Sequence, residues 1–252
     1  MTTRMIGSFE WAEQTGGRLS EEERARFQAA ISQVSRQLHQ LSRADVIPTE
    51  RIDLLSLRMP DTQGAREAMQ WCEQVSSPSL FNHALRTYVW GALLAQQDRI
   101  RYESELLFMA ALLHDVGLTA ACAFLDPTAQ CYAVEGGRAA GSLLERMGWE
   151  QERCQAVQEA IFLHLDVEVS LLQGAEAHLL HEGVLLDIVG GRLQEIPAQM
   201  ITWVLEHYPR LDFKREFIQA LQEQVTKRPD SRITLLVRDK GLFEAIRQAP
   251  LP

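Results

Sequence analysis

The doublet His114-Asp115 closes the most apolar run of the chain, "LLFMAALL". Two ionisable groups at the tip of a helix that is apolar all round are costly to bury unless they are paired or metal-bound. Imidazole nitrogen and carboxylate oxygen suit zinc, iron or manganese. Neighbours in a regular helix diverge, so such a doublet converges more easily where the helix stops and the backbone turns. Gly117, two positions after Asp115, is the expected stop. The bland alternative is that both side chains bond backbone groups at the helix end.

Of the seven histidines, three are expected to point inward from three different helices. At about 100° per residue, His83 shares a face with Arg86 and Trp90 on "FNHALRTYVWG". His164 continues the stripe Cys154, Val157, Ile161, and His114 ends the apolar run. On the helix carrying Asp187, Gly183 lies one turn earlier on the same side, where a missing side chain would leave room for a site. His181 and His178 are turned away from Asp187 and are excluded as its partners. His39 and His207 lie in polar stretches and are expected to be solvated.

Helical periodicity fills nearly the whole chain and predicts an all-α fold. "LSEEERARF" opens a helix running to about Leu41, with Ser20 and Glu23 at capping-box spacing. "RADVIPTERIDLLSLRMPDTQG" is a connector. Six helical patterns follow between Ala65 and Val189, and "LDFKREFIQALQEQVTKRPDS" adds another that stops at Pro229. "ITLLV" has no partner strand and is assigned to helix or turn, and "KGLFEAIRQAPLP" closes with a short helix.

The formal charge is −9, with no basic block, which argues against a nucleic-acid partner. No apolar run reaches membrane-spanning length, and "MTTRMIGSFEWAEQ" has no signal-peptide core. The four cysteines show no C-x-x-C spacing and are expected to be small buried hydrophobes in a reducing, cytoplasmic setting.

The order His83, His114-Asp115, Asp187 resembles the metal-binding signature of the HD-domain superfamily. The segments "SPSLFNHALRTYVWG", "ALLHDVGL", "EGGRAA", "EAIFLHLD" and "LLDIVG", with the ending "LFEAIRQAPLP", are similar to the cyanamide hydratase-like subgroup. The resemblance covers about residues 50–252, leaving residues 1–49 as an N-terminal helical extension. It implies an HD-domain helical bundle with a divalent metal held by His83, His114, Asp115 and Asp187. Zinc is the first choice, with iron or manganese as alternatives. Relatives with two metals carry extra inward histidines before the last Asp. Here His164 is taken as the only one, so one metal is expected.

Two reactions follow from the resemblance: hydrolysis of a small molecule such as a phosphate ester or nucleotide, or addition of water across a nitrile. A non-catalytic metal- or ligand-binding protein is the third reading. In the enzymatic readings metal-activated water does the chemistry. Asp115 would bind metal and accept a proton, and His164 would deliver a proton or orient substrate, unless it is a hydrogen-bonded core histidine. Arg86 could hold an anionic substrate group or brace a metal ligand. Glu135 could line the substrate pocket, with Tyr132, or begin the next helix. Asp166 could orient His164 or lie on the surface. No phosphate-cradling glycine loop is present. The expected partner is a small-molecule substrate, with no membrane contact. The first amphipathic helix could pack on its own body or on a second copy.

Overall fold

A computed structural model describes residues 5–41, 53 and 57–252. Among these the chain is all-helical, with no strand. The connector expected after Leu41 falls mostly outside the described residues, as does the side chain of His39.

The helices begin and end where local chemistry dictates. Ser8 caps α1 (Phe9–Thr15), and Gly16 ends it at φ 62°. This short helix was not expected from the sequence. Its Trp11 is fully buried, and the indole N–H reaches Glu23 at 3.0 Å. Glu23 also closes the expected box at the start of α2 (Glu21–Leu41). It accepts the Ser20 N–H at 2.8 Å while Ser20 Oγ accepts the Glu23 N–H at 3.2 Å. Thr62 caps α3 (Gln63–Val75). Ser77 caps α4 (Pro78–Asp98) with proline in its first turn, where the missing N–H costs nothing.

Then come α5 (Ser104–Leu113), α6 (Tyr132–Arg146), α7 (Gln151–Leu163) and α8 (Ala175–Val189). Four more helices follow: α9 (Ala198–His207), α10 (Phe213–Lys227), α11 (Arg232–Lys240) and α12 (Leu242–Gln248). The "ITLLV" run is helical, inside α11.

Helix α5 is the central post. Every residue from Leu107 to Leu113 is buried, and α3, α4, α7 and α8 pack around it. An apolar surface all round fits such a central place. The most extensive helix pair is α4 with α8, and two glycines permit it. A Cβ on Gly183 would lie 2.5 Å from the Thr87 carbonyl oxygen, and one on Gly91 would lie 2.8 Å from that of Leu179. Gly183 therefore does not clear space for a site, as its place before Asp187 suggested. The backbone of α4 fills that space.

Gly117 also works by close approach. It is not in the left-handed region. The chain turns at Asp115 (φ −107°, ψ 9°) into a 3-10 turn over Val116–Leu118. A Cβ on Gly117 would come within 2.1 Å of the Tyr132 carbonyl oxygen. The absence of a side chain lets the turn after the His-Asp doublet rest on the start of α6.

Gly183→Ala should destabilise the protein by about 2 kcal/mol or more, because the obstacle is helix backbone. Urea unfolding checks this, and an unchanged midpoint would contradict it. All four cysteines are buried and free, and burial pushes the Cys72 thiol up to about 12. An aromatic disulfide reagent at pH 8 should therefore label none in the native protein and all four after denaturation. Rapid native labelling would contradict this packing.

Candidate metal centre

Helix α4 brings His83, the end of α5 brings His114, and the turn after it brings Asp115. All three are buried, and one ligand atom from each lies within 4.8 Å of the others. His83 Nε2 is 3.2 Å from His114 Nε2, and these nitrogens lie 3.4 and 3.2 Å from Asp115 Oδ2.

The tautomers follow from what the other ring nitrogens touch. His83 Nδ1 lies 2.7 Å from Asp187 Oδ2, and His114 Nδ1 lies 2.8 Å from the Ala111 carbonyl oxygen. Both partners accept only, so both Nδ1 atoms donate. Each Nε2 is then left with a lone pair, and the two lone pairs face each other beside a carboxylate. Among the described residues neither oxygen of Asp115 has a hydrogen-bond partner, although both are buried. Two lone pairs and an uncompensated anion around one point repel one another unless a cation sits between them. The donor set of two imidazoles and a carboxylate fits a divalent metal ion. It does not distinguish zinc from iron or manganese.

The electrostatics agree. Burial opposes charge on Asp115, but the His114 and His83 rings beside it hold its carboxyl far below the usual range. Burial would lower His114, yet the adjacent Asp115 carboxylate outweighs it and raises the imidazole. In a protein without metal, a proton is the available substitute for the cation.

Asp187 lies behind this cluster. Its Oδ1 accepts from Arg86 Nε at 2.8 Å and from the Trp90 indole at 2.8 Å. Its Oδ2 accepts from His83 Nδ1 and from Arg86 Nη2 at 2.9 Å, with Arg210 Nη1 at 3.2 Å. Burial alone would raise this carboxyl, but Arg86 and His83 bring it well below the carboxylate range. The structure therefore places Asp187 on the far edge of the His83 ring, orienting it, and outside the cluster of ligand atoms. The face shared by His83, Arg86 and Trp90 is real, and what it addresses is Asp187.

Arg86 is not open to a substrate. It is fully buried, and its donors go to Asp187 and to the carbonyls of Tyr208 and Pro209. Of the two roles the sequence left open, bracing is the one its contacts fit. Glu135 is likewise occupied. It accepts the backbone N–H groups of Phe124 and Asp126 at 2.9 and 2.8 Å and pairs with Arg228 at 2.7 Å. It fastens the loop before α6.

His164 caps α7 beside the cluster. Its Nδ1 donates to the Ile161 carbonyl at 2.6 Å, so Nε2 carries a lone pair. That nitrogen lies 3.3 Å from the Tyr132 hydroxyl and 3.8 Å from Asp115 Oδ1. Burial, with His114 nearby, pushes His164 down to about 3. It is an acceptor at neutral pH, which replaces the near-neutral titration expected of it. Burial and the Asp115 charge raise the Tyr132 phenol well above its ordinary range, so its O–H is kept. Asp166 does not orient His164. It pairs with Arg232 at 2.6 Å.

A narrow cavity of about 40 Å³ opens beside Asp115, walled by Tyr132, His164, His181, Lys240 and apolar side chains of α8, α10, α11 and α12. His164 is thus not alone in facing inward before Asp187, because His181 is buried too. The sequence signal for it was the stripe Ala177, His181, Val184, Ile188, at steps of four, three and four. Its angle to Asp187 does not bear on this, because it faces the end of α7. Phe213 and Phe217 were also missed. They lie one turn apart on α10, and Phe213 stacks on His83 at 4.5 Å between centroids. Arg210 had no local signal. His207 is exposed, as expected.

His114→Ala and Asp115→Ala should each lose the stoichiometric metal. Asp187→Asn should keep a site that binds about 10- to 100-fold more weakly, as when a group behind a ligand is altered. Metal competition titrations, with circular dichroism to confirm folding, measure this. Complete loss in Asp187→Asn with retention in Asp115→Ala would reverse the two roles.

Against known proteins, no family model matches the chain. Two curated proteins of Saccharomyces cerevisiae (strain ATCC 204508 / S288c), cyanamide hydratase DDI2 and cyanamide hydratase DDI3, are similar to it. Each is 22% identical over 173 residues, covering 68% of this chain and 76% of the relative. The relation is distant. Together with the His83-His114-Asp115 cluster it fits a metal-dependent hydrolase or hydratase.

Proposed function

We propose that the chain is a metal-dependent hydratase of the HD-domain type that adds water across a small nitrile such as cyanamide. The observation that carries this reading is the cavity. At about 40 Å³ it has room for a few waters or a molecule of about three heavy atoms, since one water needs about 10–15 Å³ by this measure. Drug-sized ligands such as nucleotides occupy pockets of about 300–1,000 Å³. The buried arginines near the centre are spent on protein groups: Arg86 and Arg210 on Asp187, and Arg232 on Asp166. Lys240 is left as the cation of the cavity wall, and a single ammonium in a space this small gives a phosphate ester little to hold it, which favours the nitrile over the phosphate reading. The activity named for the two yeast relatives, cyanamide hydration, points the same way.

His83 Nε2, His114 Nε2 and Asp115 would hold the metal. When bound, it supplies a Lewis acid that lowers the pKa of water and polarises the nitrile nitrogen. The chain's own groups handle geometry and protons. The Tyr132 oxygen would accept a proton from the attacking water as its own proton passes to the His164 Nε2 lone pair. The same relay in reverse would return a proton from Tyr132 to the nitrile nitrogen, while His164 gives its proton back to the phenol oxygen. The carbon–oxygen bond forms at the expense of carbon–nitrogen π bonding, and both water protons finish on the former nitrile nitrogen. Cyanamide plus water then balances as urea. Apolar walls keep further water out and strengthen each of these hydrogen bonds.

The test is to load metal-stripped protein with zinc, iron(II) or manganese and to assay cyanamide and a panel of nucleotides separately. Urea should form without phosphate release. His164→Ala should lower kcat about 10²- to 10⁴-fold while metal content is retained. Phosphate release without urea would replace this reading with a phosphohydrolase, and no turnover of either would favour a non-catalytic binder.

A further inference from the structure

The proposed reaction uses Asp115, His164 and Tyr132 but leaves two polar groups of the cavity wall, His181 and Lys240, without a task. His181 is buried at 2% exposure on α8. Its Nδ1 donates to the His164 carbonyl at 3.2 Å, satisfying an acceptor left over at the end of α7. Nε2 is therefore a lone pair. Among the described residues it has no partner, and the ring lines the cavity. Burial, with Lys240 and His178 nearby, pushes the imidazole down to about 4, so it stays neutral. The wall around it holds the apolar Val184, Ile188, Leu236 and Leu242, with Lys240 as its cation. Only what occupies the cavity, a water or a ligand, can satisfy this acceptor.

We propose that His181 determines substrate class: its Nε2 accepts a hydrogen bond from an N–H of the ligand, so the cavity selects an amino-bearing nitrile over one that ends in carbon. This rests on the hydratase reading for the reacting end of the molecule. Cyanamide and acetonitrile make the comparison cleanly, because NH₂ and CH₃ differ little in size and only the first donates. A buried acceptor left unpaired penalises acetonitrile, and the pairing rewards cyanamide. Ligands that present only acceptors, such as phosphate or carboxylate, would face the same lone pair unfavourably.

The experiment measures kcat/KM for cyanamide and for acetonitrile with metal-loaded wild type, His181→Leu and His181→Gln. The intrinsic difference between the two nitriles cancels when the ratios are compared across variants. His181→Leu should lower the cyanamide-to-acetonitrile ratio roughly tenfold to a hundredfold. The change should fall on KM for cyanamide, with kcat altered only a few-fold. His181→Gln keeps both a donor for the His164 carbonyl and an acceptor for the ligand, and should restore most of the ratio. Calorimetric titration with urea, which also carries amino groups, should show about tenfold weaker binding in His181→Leu.

If wild type hydrates cyanamide and the ratio in His181→Leu is unchanged, His181 is only a helix cap and the inference falls while the hydratase reading stands. If wild type hydrates neither nitrile, the hydratase reading falls, and urea binding decides. Binding weakened by His181→Leu upholds the N–H contact, and equal or undetectable binding overturns it.

Discussion

Two imidazole lone pairs held 3.2 Å apart beside a carboxylate without hydrogen bonds form the arrangement on which the rest depends. Neither ring can relieve it by tautomerising, because Asp187 occupies Nδ1 of His83 and the Ala111 carbonyl occupies Nδ1 of His114. Nor can Asp115 turn to water, since it is 4% exposed. A fold keeps such a cluster only if surrounding packing holds it and a positive charge resolves it. Metal binding would therefore be worth a large stabilisation, because it removes repulsion already built into the folded chain.

Asp187 is the anchor of that packing. Its two oxygens gather donors from His83, Arg86 and Trp90 on α4 and from Arg210 in the segment before α10. Removing one partner of such a buried ion pair costs about 3–5 kcal/mol, since the other is left charged without compensation. The donors reach Asp187 only because Gly91 and Gly183 let α4 and α8 cross in close contact. In the same way Gly117 seats the turn carrying Asp115 against α6, which delivers Tyr132 to the cavity. Glycines that carry no chemistry thus set the distances on which the chemistry rests.

Much of this was legible in the sequence. Helical period, caps and the apolar post before His114-Asp115 predict the all-α bundle, and residue angles on single helices correctly turn His83, His114 and His164 inward. What single-helix angles cannot supply is the partner across a helix crossing. Asp187 was placed among the metal ligands and lies behind one of them. Arg86 and Glu135 were candidates for substrate contact and are fully engaged with protein groups. A polar residue on an inward face carries the same sequence pattern whether it meets a ligand or another side chain. The angle of His181 to Asp187 on α8 says nothing of its actual neighbour, the end of α7. The helix at Phe9–Thr15 escaped notice because seven residues carry too little periodicity to register.

The convergence of lone pairs can be observed directly. In protein labelled with ¹⁵N-histidine and stripped of metal near neutral pH, long-range ¹H–¹⁵N spectra report which ring nitrogen bears the proton. The account predicts Nδ1–H at both His83 and His114, and a coordination shift at the Nε2 atoms of these two residues when zinc is added. A proton on Nε2 of His83, or a zinc response elsewhere that leaves both rings untouched, would contradict it.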